Sequence, residues 1–222
     1  MASKTSRFGK VLGGLGVLLA VATAAGCAAP QFTYIADSSA NTFFKVPYGW
    51  HRISDVSLAA KFKTLGSTLG KNGSWDTAYD AAQAPTVIHL FSPDATKPFV
   101  FAFVAPLSPA ASRSLSDNGL RDILLPVTSA GRLAAAQGSS FPLTHFHLLR
   151  DTVIEPGQVH GVSDTFEYTY PGGITDTFGK VVLTNSDKSQ LYFLMVHCIA
   201  TCYSHNRDQI DTIMSSFTVR SP

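Results

Sequence analysis

The sequence predicts an α/β domain of the α+β kind, in which an antiparallel β-sheet carries helices on both faces. Four apolar stretches in the second half of the chain are joined by short turns rich in Pro, Gly and Asn, which is typical of neighbouring antiparallel strands. Stretches with apolar residues at helical spacing lie before and after them, and such helices pack on the faces of a sheet. The four strands are predicted at 141–154, 159–170, 177–183 and 190–197.

The first elements of the domain are predicted to be a bent strand and two helices. Residues 42–53 alternate apolar and polar side chains around Pro47-Tyr48-Gly49, which indicates a strand with a bend. A helix with Asp55 as its N-cap is predicted next, because apolar residues then recur at helical spacing, at Leu58, Phe62, Leu65 and Leu69. A second helix is predicted over 75–83, with a shared face formed by Trp75, Ala78, Tyr79 and Ala82.

The middle of the chain is predicted to contain a buried hairpin. Residues 86–91 and 99–105 are continuous apolar runs of strand length, separated by turn residues. The polar segment 108–119 is predicted to be a loop, and a helix interrupted at Pro126 is predicted over 120–136. A last helix leads into a final strand at 217–219, and its apolar face is formed by Ile210, Ile213 and Met214.

The beginning of the sequence has the layout of a bacterial lipoprotein signal. The cations Lys4, Arg7 and Lys10 precede sixteen uncharged residues, 11–26, and Cys27 follows directly. This apolar segment is shorter than the roughly 20 residues that a helix needs to cross a bilayer. Small residues before the thiol suit a signal peptidase, and the junction resembles the lipobox at which bacterial lipoproteins are cut and acylated.

This signal predicts the organisation of the chain and its compartment. The predicted parts are, in order, a signal peptide, a lipidated tether and a folded domain, at 1–26, 27–41 and 42–222. Two or three acyl chains on Cys27 would hold the domain at the extracytoplasmic face of the cell membrane. The lipobox usually has Leu at the position of Ala24, so ordinary secretory cleavage, for example after Ala25 or Ala29, stays open as an alternative.

The charge balance argues against nucleic acid as a partner. The signal segment holds three of the 17 Lys and Arg residues, so the remaining chain has 14 of them against 15 Asp and Glu. Nucleic-acid-binding proteins carry a basic patch or stripe, and a near-neutral domain offers none. The expected partners are therefore the membrane, through the anchor, and a protein or another component of the cell envelope.

The two remaining cysteines are predicted to form a disulfide. Once Cys27 is acylated, Cys198 and Cys202 are an even pair in an oxidising compartment. A reduced pair that binds metal or does redox chemistry is the alternative, and His197 and His205 could complete a Cys₂His₂ set. Redox dithiols usually have two intervening residues, and the spacing here is compressed for a zinc module.

Three histidines are candidate metal ligands. His145 and His147 have one residue between them in a predicted strand, so both rings are expected on one face, and His160 could lie on a neighbouring strand. A zinc enzyme would need a third ligand, such as His160 or Glu167, and an open position for water. The alternative is that these histidines make ordinary hydrogen bonds, and no cofactor or resident metal is expected.

Several short motifs resemble the Mog1/PsbP-like proteins. Phe44-Lys45-Val46-Pro47-Tyr48-Gly49-Trp50 is similar to the opening strand of that family. The likeness extends over about 42–219, through Gly161-Val162, Phe166-Glu167-Tyr168, Tyr192-Phe193-Leu194 before Cys198, and Ile210, Ile213 and Ser216-Phe217. Within the family the chain is most similar to actinobacterial lipoproteins of the LpqN type, which share the anchor and the compact domain.

The resemblance implies a fold and a general way of acting. Members of the family include a photosystem II extrinsic subunit and a binder of the Ran GTPase, and they act by binding partners without catalysis. The resemblance carries over no catalytic residue, and it implies packing roles for Trp50, Phe166, Tyr168 and Phe217.

The function predicted from these observations is that of a membrane-anchored, non-catalytic protein-binding or envelope assembly module. The Gly-x-Ser-x-Gly motif of serine hydrolases is absent from the sequence, so it gives no support for an acyl-transfer enzyme. Two alternatives stay open, namely a metal-dependent enzyme using His145 and His147, and a carrier of a small apolar ligand in a cleft between sheet and helices.

Overall fold

The computed structural model describes residue 1 and residues 30–64, 74–93, 95–138, 141–154 and 157–220. The predicted signal cleavage site and Cys27 lie outside these residues, as do Leu65 and Leu69. The strands are β1 (Phe32–Asp37), β2 (Thr42–Pro47), β3 (His51–Arg52), β4 (Trp75–Asp80), β5 (Phe99–Pro106), β6 (Thr144–Ile154), β7 (Val159–Thr169), β8 (Thr175–Asn185), β9 (Gln190–Ile199) and β10 (Thr218–Val219). The helices are α1 (Asp55–Thr64), α2 (Pro109–Ser114), α3 (Asp117–Arg121), α4 (Ser129–Gln137), α5 (Ala200–His205) and α6 (Arg207–Ser216).

The strands form a large and a small sheet. The large sheet has seven strands in the order β3-β4-β5-β9-β8-β7-β6, and each neighbouring pair is antiparallel. The small sheet has the order β1-β2-β10, and it is also antiparallel. The meander from β6 to β9 confirms the four predicted antiparallel neighbours. The predicted turns at 171–173 and 185–187 are also confirmed, whereas residues 155 and 156 of the first predicted turn lie outside the described residues.

The large sheet is covered on both faces. Its first face carries a core of aromatic residues, including Phe101, Phe166, Phe178 and Phe193, which α1 and α3 cover through residues such as Phe62 and Leu120. Its second face carries a more aliphatic core, which the small sheet, α5 and α6 cover through Phe44, Phe217, Ile210 and Ile213. Helices therefore lie on both faces, as the sequence predicts.

The family resemblance implies packing roles for four residues, and the structure confirms them. Phe166, Tyr168 and Phe217 are buried, and Trp50 is half-buried against the second core. A disulfide joins Cys198, near the end of β9, to Cys202 in α5, with 5.9 Å between their Cα atoms. Both cysteines belong to the second core. Because α5 begins directly after β9, the disulfide fixes this helix against the end of the strand that precedes it.

Two predictions for the middle of the chain are wrong. Residues 75–80 form β4, because they pair along their whole length with β5, from Trp75 opposite Val104 to Asp80 opposite Phe99. The expected strand at 86–91 is a 3₁₀ turn, Val87–Phe91, so the predicted hairpin does not form. The buried Asp80 carboxylate organises this turn, because it accepts hydrogen bonds from the backbone N–H groups of Ala82 and Thr86 and contacts His89.

Two segments predicted to be irregular contain regular structure. The expected loop at 108–119 contains α2 and most of α3, which begin at the capping hydroxyls of Ser108 and Ser116. The expected tether at 27–41 contains β1, which pairs with β2 from Phe32 opposite Pro47 to Asp37 opposite Thr42. Any tether within that range therefore ends before Phe32.

Gly161 gives a test of this sheet. A Cβ at this position would overlap the carbonyl oxygen of Val182 and lie 2.8 Å from the Cα of Leu183, both of which are backbone atoms of β8. We expect Gly161→Ala to lower the free energy of unfolding by about 1–3 kcal/mol, because the strands must move apart to admit the methyl group. Urea denaturation measures this change. Gly157→Ala is the matched control, since a Cβ there would have no atom within 4 Å, and an equal loss in both variants would contradict the prediction.

Candidate functional site

The small sheet and α6 leave part of the second face of the large sheet open, and a cleft lies at this place. The cleft has a volume of about 530 Å³. Its floor is apolar and comes from β6, β7 and β8 through Ile154, Val159, Val181 and Leu183, whereas its opposite wall consists of Met214, Phe217 and Val219. This volume lies in the range of roughly 300–1,000 Å³ that is usual for ligand sites.

The register of the strands explains the floor of the cleft. Ser163 lies opposite Val181, and Gly161 lies opposite Leu183, so alternate residues of β7 and β8 share the second face. Strand alternation therefore explains which residues of β7 and β8 form the floor.

The α6 helix provides a polar rim. Ile210 and Ile213 are buried in the second core, whereas Asp211, Thr212 and Ser215 of the same helix line the cleft. Arg150 of β6 also lines it, so the rim carries one side chain of each charge.

The strand β10 forms one border of the cleft. Thr218 and Val219 line the cleft, and β10 pairs with β2 on one side only. Within the described ranges, no strand pairs with the other side of β10. Unpaired backbone groups on such an edge can pair with an extended segment of another chain.

The first face carries a row of charged residues. Asp151, Asp164 and Lys180 lie directly opposite one another on β6, β7 and β8. The Nζ of Lys180 is 3.7 Å from Oδ2 of Asp164, and both side chains are fully buried. Lys180 also donates hydrogen bonds to the backbone carbonyls of Arg121, Ile123 and Leu125.

This row connects the segment after α3 to the sheet. The Nε of Arg121 donates to both carboxylate oxygens of Asp151, at 3.0 and 3.1 Å. Burial raises the pKa of Asp164 to about 7, and it lowers the pKa of Lys180 to about 8. The row therefore holds the 121–125 segment in place at the cost of desolvating two opposite charges.

A second buried polar pair lies in the first core. The Nδ1 of His197 is 2.9 Å from Oδ2 of Asp176, and both side chains are fully buried. The ring of Phe178 stacks on the imidazole, with 5.3 Å between the ring centres. His197 thus lies on the opposite face from the disulfide, so the Cys₂His₂ alternative with Cys198, Cys202 and His205 is wrong for this fold.

The predicted metal ligands are not brought together. A register shift lies between Thr144 and His147, and His145 has a φ of 50°, so this β-bulge interrupts the alternation on which a shared face was predicted. The Nδ1 of His147 is 3.4 Å from Oε2 of Glu167, which lies opposite it on β7.

His160 lies elsewhere. Its Nε2 is 2.7 Å from Oδ1 of Asp117 in α3. Glu167 lies seven positions further along the same strand, and this odd separation places the two residues on opposite faces of the sheet. In the part of the chain that the structure describes, no three His, Cys, Asp or Glu side chains are arranged to hold a metal ion.

The residues that build the cleft and the charged row are not among those predicted from the sequence to be functional. The apolar floor residues have the pattern of ordinary strand residues in the sequence. Only the pairing of the strands shows which of them line the cleft. The charged row had a visible signal, because Asp164 and Lys180 interrupt two otherwise apolar alternating strands. A charged residue at a core position of a strand indicates a buried partner.

Comparison with solved structures identifies the fold. Cyanobacterial PsbP from Synechocystis is 13% identical, the match covers 94% of this chain and 99% of that one, and the TM-score is 0.53. The Saccharomyces cerevisiae Ran-binding protein Mog1p is 9% identical over 85% of this chain and 95% of its own, with a TM-score of 0.47. LpqN of Mycobacterium tuberculosis, which is involved in cell envelope biogenesis, is 11% identical over 86% of this chain and 91% of its own, with a TM-score of 0.37.

The comparisons of sequence give no match. No family model matches the chain, and no curated protein matches it. Within the described residues, none of the helices has the length and apolar character needed to cross a bilayer.

The buried carboxyl of Asp164 gives a prediction of pH dependence. Its pKa is raised to about 7 by burial, whereas an unfolded Asp titrates near 3.9, so the folded state binds the proton more tightly between these values. This contribution to stability is full at low pH and is lost as the pH rises towards 7. We expect Asp164→Asn to remove that loss, so that stability rises more, or falls less, from pH 4.5 to pH 7 than in the unchanged protein.

Urea denaturation at the two pH values measures the difference. Asp187→Asn is the control, because the hydrogen bond from Ser189 lowers the pKa of Asp187, so its removal should leave the change in stability between these two pH values almost unaltered. If the stability of Asp164→Asn changed with pH in parallel with that of the unchanged protein, the raised pKa of Asp164 would be contradicted.

Proposed function

Because the described domain has the Mog1/PsbP-like fold, we propose that the protein is a non-catalytic binding module, anchored at the extracytoplasmic face of the cell membrane by acyl chains on Cys27. The anchor is supported by the charge layout of the first 27 residues and by the Gly26-Cys27 junction. The disulfide between Cys198 and Cys202 fits the oxidising compartment that such a location implies.

The cleft beside α6 is the observation that carries the binding role. Its floor is apolar, its rim has a charge of each sign, and one border is the open side of β10. An extended polypeptide segment matches all three features, because its backbone can pair with a strand edge while its side chains reach the floor and rim. The proposed partner is therefore a protein of the cell envelope.

A second candidate function is the carriage of a small apolar ligand. The apolar floor and the volume of about 530 Å³ favour it, since ligand sites of this size are mostly lined by apolar side chains. Native mass spectrometry of protein purified without detergent distinguishes the two, because a carrier retains a small molecule whereas a protein-binding module is empty. The metal-dependent enzyme is not proposed, since His145, His147 and His160 do not form a ligand set.

The anchor predicts a specific chemical modification. We expect protein extracted from the host membrane to begin at Cys27 and to be heavier than its polypeptide by the attached acyl groups, as intact-mass measurement would reveal. Cys27→Ser should move the protein to the aqueous phase of a detergent partition, because the acyl chains supply the membrane affinity. The proposed location would be overturned if the protein in the membrane fraction had the mass of the unmodified polypeptide. It would also be overturned if the protein entered the aqueous phase with a reactive thiol at Cys27.

The cleft predicts where a partner becomes crosslinked. A photo-reactive amino acid in place of Ser215, which is exposed on α6 and lines the cleft, should give reproducible protein adducts in intact cells. The same probe at Ile174, an exposed residue in the turn before β8, is the positional control. Mass spectrometry of the adducts identifies the partner.

A second variant tests whether the cleft itself is required. Ser163→Arg places a long side chain on the cleft floor, so it should remove the adducts formed at Ser215, whereas Ile174→Arg should leave them unchanged. Adducts that persist in Ser163→Arg, or that form equally at Ile174, would contradict the role of the cleft.

A further inference from the structure

The small sheet has an outer face that points away from the second core. Ile35, Phe44 and Val46 are buried on its inner face, so the alternate residues of the strands point outwards. We call the outward group formed by Phe32, Tyr34, Phe43 and Lys45, together with Tyr48 in the following turn, the aromatic surface.

The aromatic surface is ordered and accessible. The rings of Tyr34 and Phe43 are stacked with 6.0 Å between their centres, and Nζ of Lys45 lies 4.3 Å from the ring centre of Phe32. Tyr34 is 66% exposed and Tyr48 is 67% exposed. The structure therefore presents large amphipathic rings to the outside, although burying them in a core would be favourable.

The charge of the aromatic surface is positive. Lys45 is its only ionisable cation, and the outward strand positions of the small sheet hold no carboxylate, since they are Phe32, Tyr34, Ala36, Phe43, Lys45, Pro47 and Thr218. A surface of tyrosines with one lysine matches the boundary of a bilayer, where aromatic rings lie at the headgroups and cations attract lipid phosphates.

The position of the aromatic surface in the chain brings it close to the proposed anchor. The backbone N–H of Tyr48 donates a hydrogen bond of 2.8 Å to the carbonyl of Gln31, so Tyr48 lies at the entry to β1. Only four residue steps separate Gln31 from Cys27, which is at most about 14 Å of extended chain. An acylated Cys27 would therefore keep this end of the small sheet within reach of the headgroups.

We propose that the aromatic surface lies against the lipid bilayer, with the rings of Tyr34 and Tyr48 among the headgroups and Lys45 directed towards lipid phosphate. This inference rests on the proposed lipid anchor. Interfacial side chains add a second attachment to the acyl chains and fix the orientation of the domain. The helices that cover the first face then point away from the membrane.

The experiment measures the depth of a probe at two positions of the acylated full chain. Tyr34→Cys and Leu133→Cys each provide one labelling site for a nitroxide, because the native cysteines are acylated at Cys27 or joined in the disulfide. Leu133 is 63% exposed on α4, on the side of the first face, so it matches Tyr34 in exposure. Each labelled protein is reconstituted on vesicles of phosphatidylcholine and phosphatidylglycerol.

The expected result is a difference between the two labels. The label at Tyr34→Cys should be several-fold less accessible to a water-soluble paramagnetic reagent, and more accessible to oxygen, than the label at Leu133→Cys. Equal accessibility of both labels on the vesicles would overturn the inference. Shielding at Tyr34→Cys that grows with protein concentration in the absence of vesicles would also overturn it, because the aromatic surface would then bind a second copy.

Two further measurements separate this inference from the proposed anchor and from the effects of labelling. Intact mass is recorded first, since an unacylated chain would contradict the anchor before any depth is measured. Hydrogen exchange of the unlabelled acylated chain then compares vesicles with detergent micelles. Exchange that slows on vesicles in β1 and β2 but not in α4 supports the inference, and no difference between these elements contradicts it.

Discussion

The domain depends on central strands that are apolar on both faces. Nearly all residues of β5, β8 and β9 are buried, so the large sheet must be covered twice. The segments between β3 and β6 provide the cover of the first face, whereas the two ends of the described chain meet to cover the second. Burial of this apolar surface is the dominant favourable term in folding, and it requires the ends of the domain to pack together.

The elements packed on the second face leave part of that face open, and the cleft lies there. The helix α6 contacts the second face over β8 and β9, whereas Arg150 of β6 and Val159 of β7 line the cleft. Close approach of α6 to β8 is allowed by Gly179, because a Cβ there would overlap the side chains of Tyr203 and Met214. The tight packing of α6 on β8 thus depends on Gly179.

The sequence predicts the large-scale organisation because that organisation depends on local periodicity. The strands β6 to β9 have turn residues at both ends and alternating or continuous apolar patterns, and all four occur close to where they are predicted. Phe166 and Phe217, which carry part of the family resemblance, pack in the first and the second core respectively. The disulfide between Cys198 and Cys202 is predicted from the even number of remaining cysteines in the predicted oxidising compartment.

The predictions that fail are those that tertiary contacts decide. The segment 75–80 has apolar residues that fit either periodicity, and pairing with β5 makes it a strand. The turn at 87–91 depends on hydrogen bonds to Asp80, whose burial the sequence does not indicate. The histidine site fails because a bulge at His145 changes the side-chain alternation, and a single inserted residue in a ladder has no strong sequence signal.

The small sheet connects the proposed location with the proposed binding role. Its first strand, β1, begins a few residues after Cys27, and its last strand, β10, borders the cleft. An anchored domain that rests on the outer face of this sheet would hold the cleft at a fixed height above the bilayer. A partner segment that pairs with β10 would then extend the same sheet that contacts the lipid, so it would be bound close to the membrane surface. Membrane contact and partner binding would thereby share one rigid element, in which the register between β2 and β10 sets the geometry of both.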